Sequence, residues 1–160
     1  MKDKNIANAG QPCSPLPTRC QTNPTRILLV EDDLSIRKLS SMMLIQSGYH
    51  VDAAEDGAAG WEKLLANSYD LLITDNNMPN VSGVELVEKL RSARMTLPVV
   101  MASGTPPAEA LNGVSSLQLA ATLLKPFTMD ELLATVEKIL TTTEEATVHT
   151  VSLAAMAGAA

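Results

Sequence analysis

Between residues 26 and 140, short apolar runs alternate with longer stretches whose apolar residues recur at helical spacing. This alternation constrains the fold more than any other feature of the chain. The runs Arg26–Val30 (RILLV), His50–Ala54 (HVDAA), 70–74 (DLLIT), 97–102 (LPVVMA) and 119–124 (LAATLL) read as strands. Helices are predicted over Leu34–Gln46, 58–66, 81–91 and 128–140. Their expected inward faces are Ile36, Leu39 and Met43; Trp61, Leu64 and Leu65; Val84, Val87 and Leu90; and Leu132, Leu133, Val136, Ile139 and Leu140. Thr128, with Glu131 three positions on, has the pattern of a capping box. The stretch 106–118 carries Pro106, Pro107, Gly113 and a serine pair, and only a short helix over 107–112 is predicted there.

Strands that alternate with helices imply right-handed crossovers and a parallel sheet covered on both faces, an α/β fold. At this size the common solution is a flavodoxin-like, doubly wound, five-stranded parallel sheet of order 2-1-3-4-5. That order sets the first and third strands side by side and puts ligands beyond the carboxyl ends of the strands. The flanks are different in kind. Residues 1–25 carry Pro12, Pro15, Pro17 and Pro24 among polar residues and are expected to be a disordered leader. Residues 141–160, rich in Thr and Ala, are expected to be a flexible tail.

The net charge is -6. Lys2, Lys4 and Arg19 against Asp3 give the leader a charge of +2, and Glu144 and Glu145 give the tail -2. The two cancel, so the whole surplus lies within 26–140. Acidic balance with 2% aromatics argues against a nucleic-acid surface, which needs basic clusters and stacking rings. No apolar run reaches the roughly 18 residues of a membrane helix, and no signal-peptide core is evident. A cytoplasmic protein is expected, with Cys13 and Cys20 as free thiols. His50 and His149 have no metal-ligand partners at suitable spacing and read as surface residues.

The residues that follow each strand carry the chemistry. Glu31, Asp32 and Asp33 follow the first, Asp75 the third, Ser103 the fourth and Lys125 the fifth. With strands one and three adjacent, Glu31, Asp32 and Asp75 converge. Two unit charges 4 Å apart repel by about 4 kcal/mol at an effective dielectric of about 20. Either one carboxylate protonates or a cation binds. Hard oxygen ligands with an open side suit Mg²⁺, which also accepts phosphate oxygens. Lys125 adds a fixed positive charge and Ser103 a hydroxyl. These are parts for phosphoryl transfer, with a carboxylate left over as nucleophile.

The motifs ILLVEDD, LLITDNNMPNVSG, PVVMASG and LLKPF, in this order and spacing, resemble the receiver domain of two-component response regulators. The resemblance covers about residues 26–140. It implies that Asp75 is the phosphoacceptor and that Glu31 and Asp32 hold Mg²⁺, Asp32 more directly. It also implies that the main-chain carbonyl of Asn77 completes the metal shell. Ser103 then matches the switch hydroxyl and Lys125 the lysine that pairs with phosphate, with a cis Lys125–Pro126 bond. The expected partners are a histidine kinase or histidine phosphotransfer domain and an unknown downstream protein, with no dedicated enzyme activity beyond self-phosphorylation and slow dephosphorylation. With 141–160 read as a tail, a stand-alone receiver is expected. The chain departs from the family at Thr122, where many receivers carry an aromatic that moves with the switch hydroxyl, so that coupling is not expected here.

Simpler readings stand beside these. Asp33 serves as a helix cap. Glu31 and Asp32 as a solvated acidic turn, Ser103 as a turn hydroxyl and Lys125 as a solvated lysine are the bland alternatives. Two other functions compete: a receiver-like interaction module that is never phosphorylated, and a phosphohydrolase with an aspartyl nucleophile. The complete set of five residues disfavours the first. The second resembles a D-x-D pattern, whereas Asp75 is followed by Asn76 and Asn77.

Overall fold

The computed structural model describes residues 24–104 and 117–157, with side chains in the last helix as far as Thr143. Five parallel strands form one sheet: β1 (Arg26–Val30), β2 (His50–Ala54), β3 (Leu71–Asp75), β4 (Val99–Ser103) and β5 (Ala121–Leu124). Their order is β2-β1-β3-β4-β5, as predicted. Four helices are described: α1 (Leu34–Gln46), α2 (Gly57–Ala66), α3 (Gly83–Ser92) and α4 (Met129–Ala157). The predicted helix at 107–112 and the cysteines lie outside the described residues.

Strand composition accounts for strand position. Every residue of β3 and β4 is buried, as are the last four of β1, whereas β2 and β5 are largely exposed or half-buried. Apolar runs without alternation belong in the middle of a parallel sheet that is covered on both sides, and mixed runs belong at its edges. Side chains along each central strand divide between two cores. Ile27, Leu29, Leu71, Ile73 and Val100 pack with Leu44 of α1 and Leu132 and Val136 of α4. Leu28, Val30, Leu72, Val99 and Met101 pack on the other side with Leu64 of α2 and Leu86 and Leu90 of α3.

The helix faces differ from expectation in two places. α1 buries Ser40 and Leu44, with Ile36 and Met43 half-buried and Leu39 exposed. Apolar residues surround this helix, so spacing alone does not single out one face. Leu34, Met42 and Ile45, each about half exposed, form a second apolar stripe facing outward. α2 buries Leu64 but leaves Leu65 67% exposed, with Trp61 half-buried. In α3, Leu86 is buried with Val87 and Leu90, and Val84 is half-buried. The stripe on α4 is as predicted, with Leu133 at its half-buried margin.

Element ends follow local chemistry. α3 begins at Gly83 rather than at 81, because Ser82 and Glu85 form a complete capping box. Thr128 and Glu131 form the second such box, as predicted: Glu131 N donates to Thr128 Oγ1 at 3.2 Å and Thr128 N to Glu131 Oε2 at 2.7 Å. β4 starts at Val99, because Pro98 has no N–H and the Leu97 carbonyl accepts from Arg91 instead. Arg91 also donates to the carbonyls of Met95, Leu117 and Gln118, fastening the segments that enter β4 and β5 to α3. α4 does not stop at Leu140 but continues to Ala157. No Gly or Pro interrupts residues 129–157. The hydroxyls of Thr141, Thr142 and Thr143 donate to carbonyls one turn back.

At the amino-terminal edge of the sheet, Arg26 Nη2 and Tyr69 Oη both donate to Asp52 Oδ2 at 2.9 Å. The Arg26 guanidinium lies 5.2 Å from the Tyr69 ring centroid. Burial, reinforced by Asp52, pushes the Tyr69 hydroxyl up to about 12.

Two outcomes are expected. Leu64→Ala costs about 2–5 kcal/mol in urea unfolding and Leu65→Ala less than about 0.5 kcal/mol, which tests the assigned face of α2. The second concerns alkaline pH. A folded-state value above that of an unfolded tyrosine means the stabilisation is complete below pH ~10 and is lost as pH rises through about 12. Unfolding measured across that window loses this component in Tyr69→Phe.

Candidate functional site

The carboxyl edge of the sheet gathers the predicted residues. Glu31 and Asp32 follow β1, Asp75 ends β3, Ser103 ends β4 and Lys125 follows β5. Asp75 and Ser103 are thus the last residues of their strands rather than the first residues after them. Main-chain bonds set the positions. β3 and β4 align Asp75 with Ala102, and β4 and β5 align Ser103 with Leu124. Asn76 N donates to the Ala102 carbonyl at 2.9 Å, and Lys125 N to the Ser103 carbonyl at 2.8 Å. Lys125–Pro126 is cis, as the resemblance implied.

The side chains converge. Lys125 Nζ donates to Asp75 Oδ2 at 2.6 Å and to Glu31 Oε2 at 3.0 Å. Glu31, Asp75 and Ser103 are buried; Asp32 is exposed at the mouth. Glu31, Asp32 and Asp75 each offer one oxygen, all within 4.8 Å of one another. Asn77 N donates to Asp75 Oδ1 at 3.2 Å, so the loop after β3 folds back over the carboxylate.

The electrostatics are those of a site short of positive charge. Burial pushes the Glu31 carboxyl above the ordinary range, and the charge of Asp75 adds to this while Lys125 opposes it. Burial works against the Lys125 ammonium, but hydrogen bonds and charge from Asp75 and Glu31 outweigh it and raise its pKa. Among the described residues, three carboxylates gather here with one ammonium. A divalent cation would balance the remainder, and the donor set is all hard oxygen with one exposed member. These residues therefore fit Mg²⁺.

Several supporting residues escaped the sequence reading. Arg37 of α1 reaches back to the main-chain carbonyls of Glu31 and Asp32, fixing the acidic turn. No spacing rule signals a side chain that bonds main-chain carbonyls before its own helix. Asp56 caps α2 and accepts from Asn80 in the loop after β3. An Asp before Gly57 was a visible cap signal, but its second bond was not. Asp33 caps α1 as expected, Oδ1 accepting from Ser35 N and Ile36 N at 2.7 and 3.0 Å. Thr122, on the outer strand, is exposed. Among the described residues, no helix is long and apolar enough to cross a membrane.

Known proteins share this fold. The family profile described as the response regulator receiver domain matches residues 27–137. The chain is similar to the response regulator ArlR of Staphylococcus epidermidis, 35% identical over 118 residues, which is 72% of this chain and 52% of the relative. The chain thus spans about half the length of the curated relatives it matches. Among solved structures, the chemotaxis protein CheY4 of Vibrio cholerae superposes with a TM-score of 0.69 at 29% identity, covering 73% of this chain and 99% of that one. The response regulator TrrA of Thermotoga maritima, in complex with Mg²⁺-BeF, superposes with a TM-score of 0.64 at 31% identity, covering 72% and 98%. With its fold, its strand-edge carboxylates and this match over most of its length, the chain belongs to the response regulator receiver domain family.

Proposed function

We propose that Asp75 accepts the phosphoryl group by which this receiver takes part in two-component signalling. The donor is a phosphohistidine carried by a histidine kinase or a histidine phosphotransfer domain. The observation that carries this reading is the buried Asp75 carboxylate held against Lys125 beside Glu31 and Asp32. An Asp75 oxygen forms the new P–O bond as the P–N bond breaks, and the bonding pair stays on the imidazole nitrogen. The product is an acyl phosphate. Glu31, Asp32, Asp75 and the Asn77 main-chain carbonyl would hold Mg²⁺, which would supply positive charge against the phosphoryl oxygens.

Lys125 leaves its bond with the Asp75 carboxylate and follows the phosphoryl oxygens, where its charge counts more as negative charge gathers. Ser103 lies one main-chain bond from Lys125 and donates its hydroxyl to the same group. Phosphorylation adds a charge of roughly -1.5 to -2, and Ser103 is where the change is first read. The residues perform one transfer and a slow hydrolysis, and the protein is a signalling component of the cytoplasm rather than a dedicated enzyme.

The outward stripe of α1 suits the donor protein. Leu34 stands two residues from Asp32, and Met42 and Ile45 extend the apolar surface along the helix. A partner resting there brings its phosphohistidine to the carboxylates.

Two measurements test these statements. With Mg²⁺ and acetyl phosphate, the wild-type protein takes label and Asp75→Asn takes none; an unlabelled wild type overturns the reading. Met42→Glu with Ile45→Glu lowers transfer from a phosphorylated donor domain by on the order of tenfold and leaves labelling by acetyl phosphate unchanged. Equal losses with both donors would place the defect in the site instead.

A further inference from the structure

The loop between β3 and α3 carries Asn77, and it is held at both ends. At its base, Gly83 N donates to the Asn76 carbonyl at 3.1 Å. A Cβ on Gly83 would lie 2.2 Å from the Asp75 carbonyl oxygen, so the returning chain passes directly against the residue it left. At its far side, Asn80 takes a left-handed conformation, φ 65°. Its side-chain amide donates to Asp56 Oδ2 at 2.8 Å. Asp56 Oδ1 meanwhile accepts from Ala59 N at 2.8 Å, as the cap of α2. A Cβ on Gly57 would lie 2.5 Å from the Val81 carbonyl oxygen and 2.8 Å from Val81 Cγ1, so Val81 of the loop rests directly on the bare glycine in the first turn of α2.

One carboxylate therefore serves two structures at once: the start of α2 and the turn that shapes the loop after Asp75. We infer that Asp56 and Asn80 are positioning residues for the metal shell, fixing the loop that presents the Asn77 carbonyl and the Asn77 N–H bonded to Asp75. Neither residue touches the metal or the phosphoryl group. The inference rests on the reading of Glu31, Asp32, Asp75 and Asn77 as the magnesium site. Outer partners that orient metal ligands commonly carry a tenfold or larger share of metal affinity.

Asp56→Ser separates the two duties of Asp56. Serine caps a helix about as well as aspartate, but its single oxygen, on a shorter side chain, does not span to Asn80. Asp56→Asn retains both bonds once the Asn80 amide turns to present its oxygen. Titration calorimetry of the unphosphorylated protein with Mg²⁺ is the readout, alongside amide hydrogen exchange across residues 76–82. The expected result is Mg²⁺ binding weakened on the order of tenfold in Asp56→Ser and in Asn80→Ser, with faster exchange in the loop. The double variant is no weaker than either single one, and Asp56→Asn restores binding. Wild-type Mg²⁺ affinity in both serine variants overturns the inference while leaving the site intact. A wild-type protein that binds no Mg²⁺ overturns the site reading itself, and this inference with it.

Discussion

Among the described residues, Lys125 is the cation that reaches the buried carboxylates, and the carboxyl edge of the sheet is built around that contact. β1 and β3 lie side by side because both are apolar enough for the middle of the sheet. Their adjacency brings Glu31 and Asp75 together out of water, where like charges repel strongly. The ammonium from the far strand offsets that repulsion and joins the end of β5 to the ends of β1 and β3. Without it, one of the two carboxylates would take up a proton or the pair would need another cation.

The same pairing describes how a receiver domain can be both stable and responsive. The bonds from Lys125 hold the carboxylates in place, yet they use the oxygens that a phosphoryl group would occupy or approach. Glu31 is held with a raised pKa in a buried position, and Asp32 is left in solvent at the mouth. A site with less negative charge would have little use for a divalent cation, and a site without Lys125 would hold its carboxylates at high cost. The balance between these two needs is struck with very few residues.

Much of this was legible in the sequence because it depends on strand order. Short apolar runs marked the strands, the residues at the end of each run marked the edge, and one topology brought those residues together. The helix faces were less legible. α1 is apolar on several sides, and its inward position at Ser40 is polar, so periodicity pointed to Leu39 instead. Leu65 follows Leu64 in a helix too short to show which one points inward. Arg37, Asp56 and Asn80 were missed for another reason. Each acts through a bond to the main chain or across a loop, and such bonds depend on how the loops fold rather than on sequence spacing.

The main-chain ladder beneath the site has a consequence for how such a chain can change. Asp75, Ser103 and Lys125 are held at their stations by peptide groups of β3, β4 and β5, bonds that do not involve the outward-facing side chains of the edge strand. Exposed residues on the outer strand, such as Thr122 and Leu124, can therefore be exchanged without shifting these three residues. The chemistry is anchored to the backbone while the outer surface is open to variation. New partners can thus be acquired by surface drift, with the carboxylate edge left where it stands.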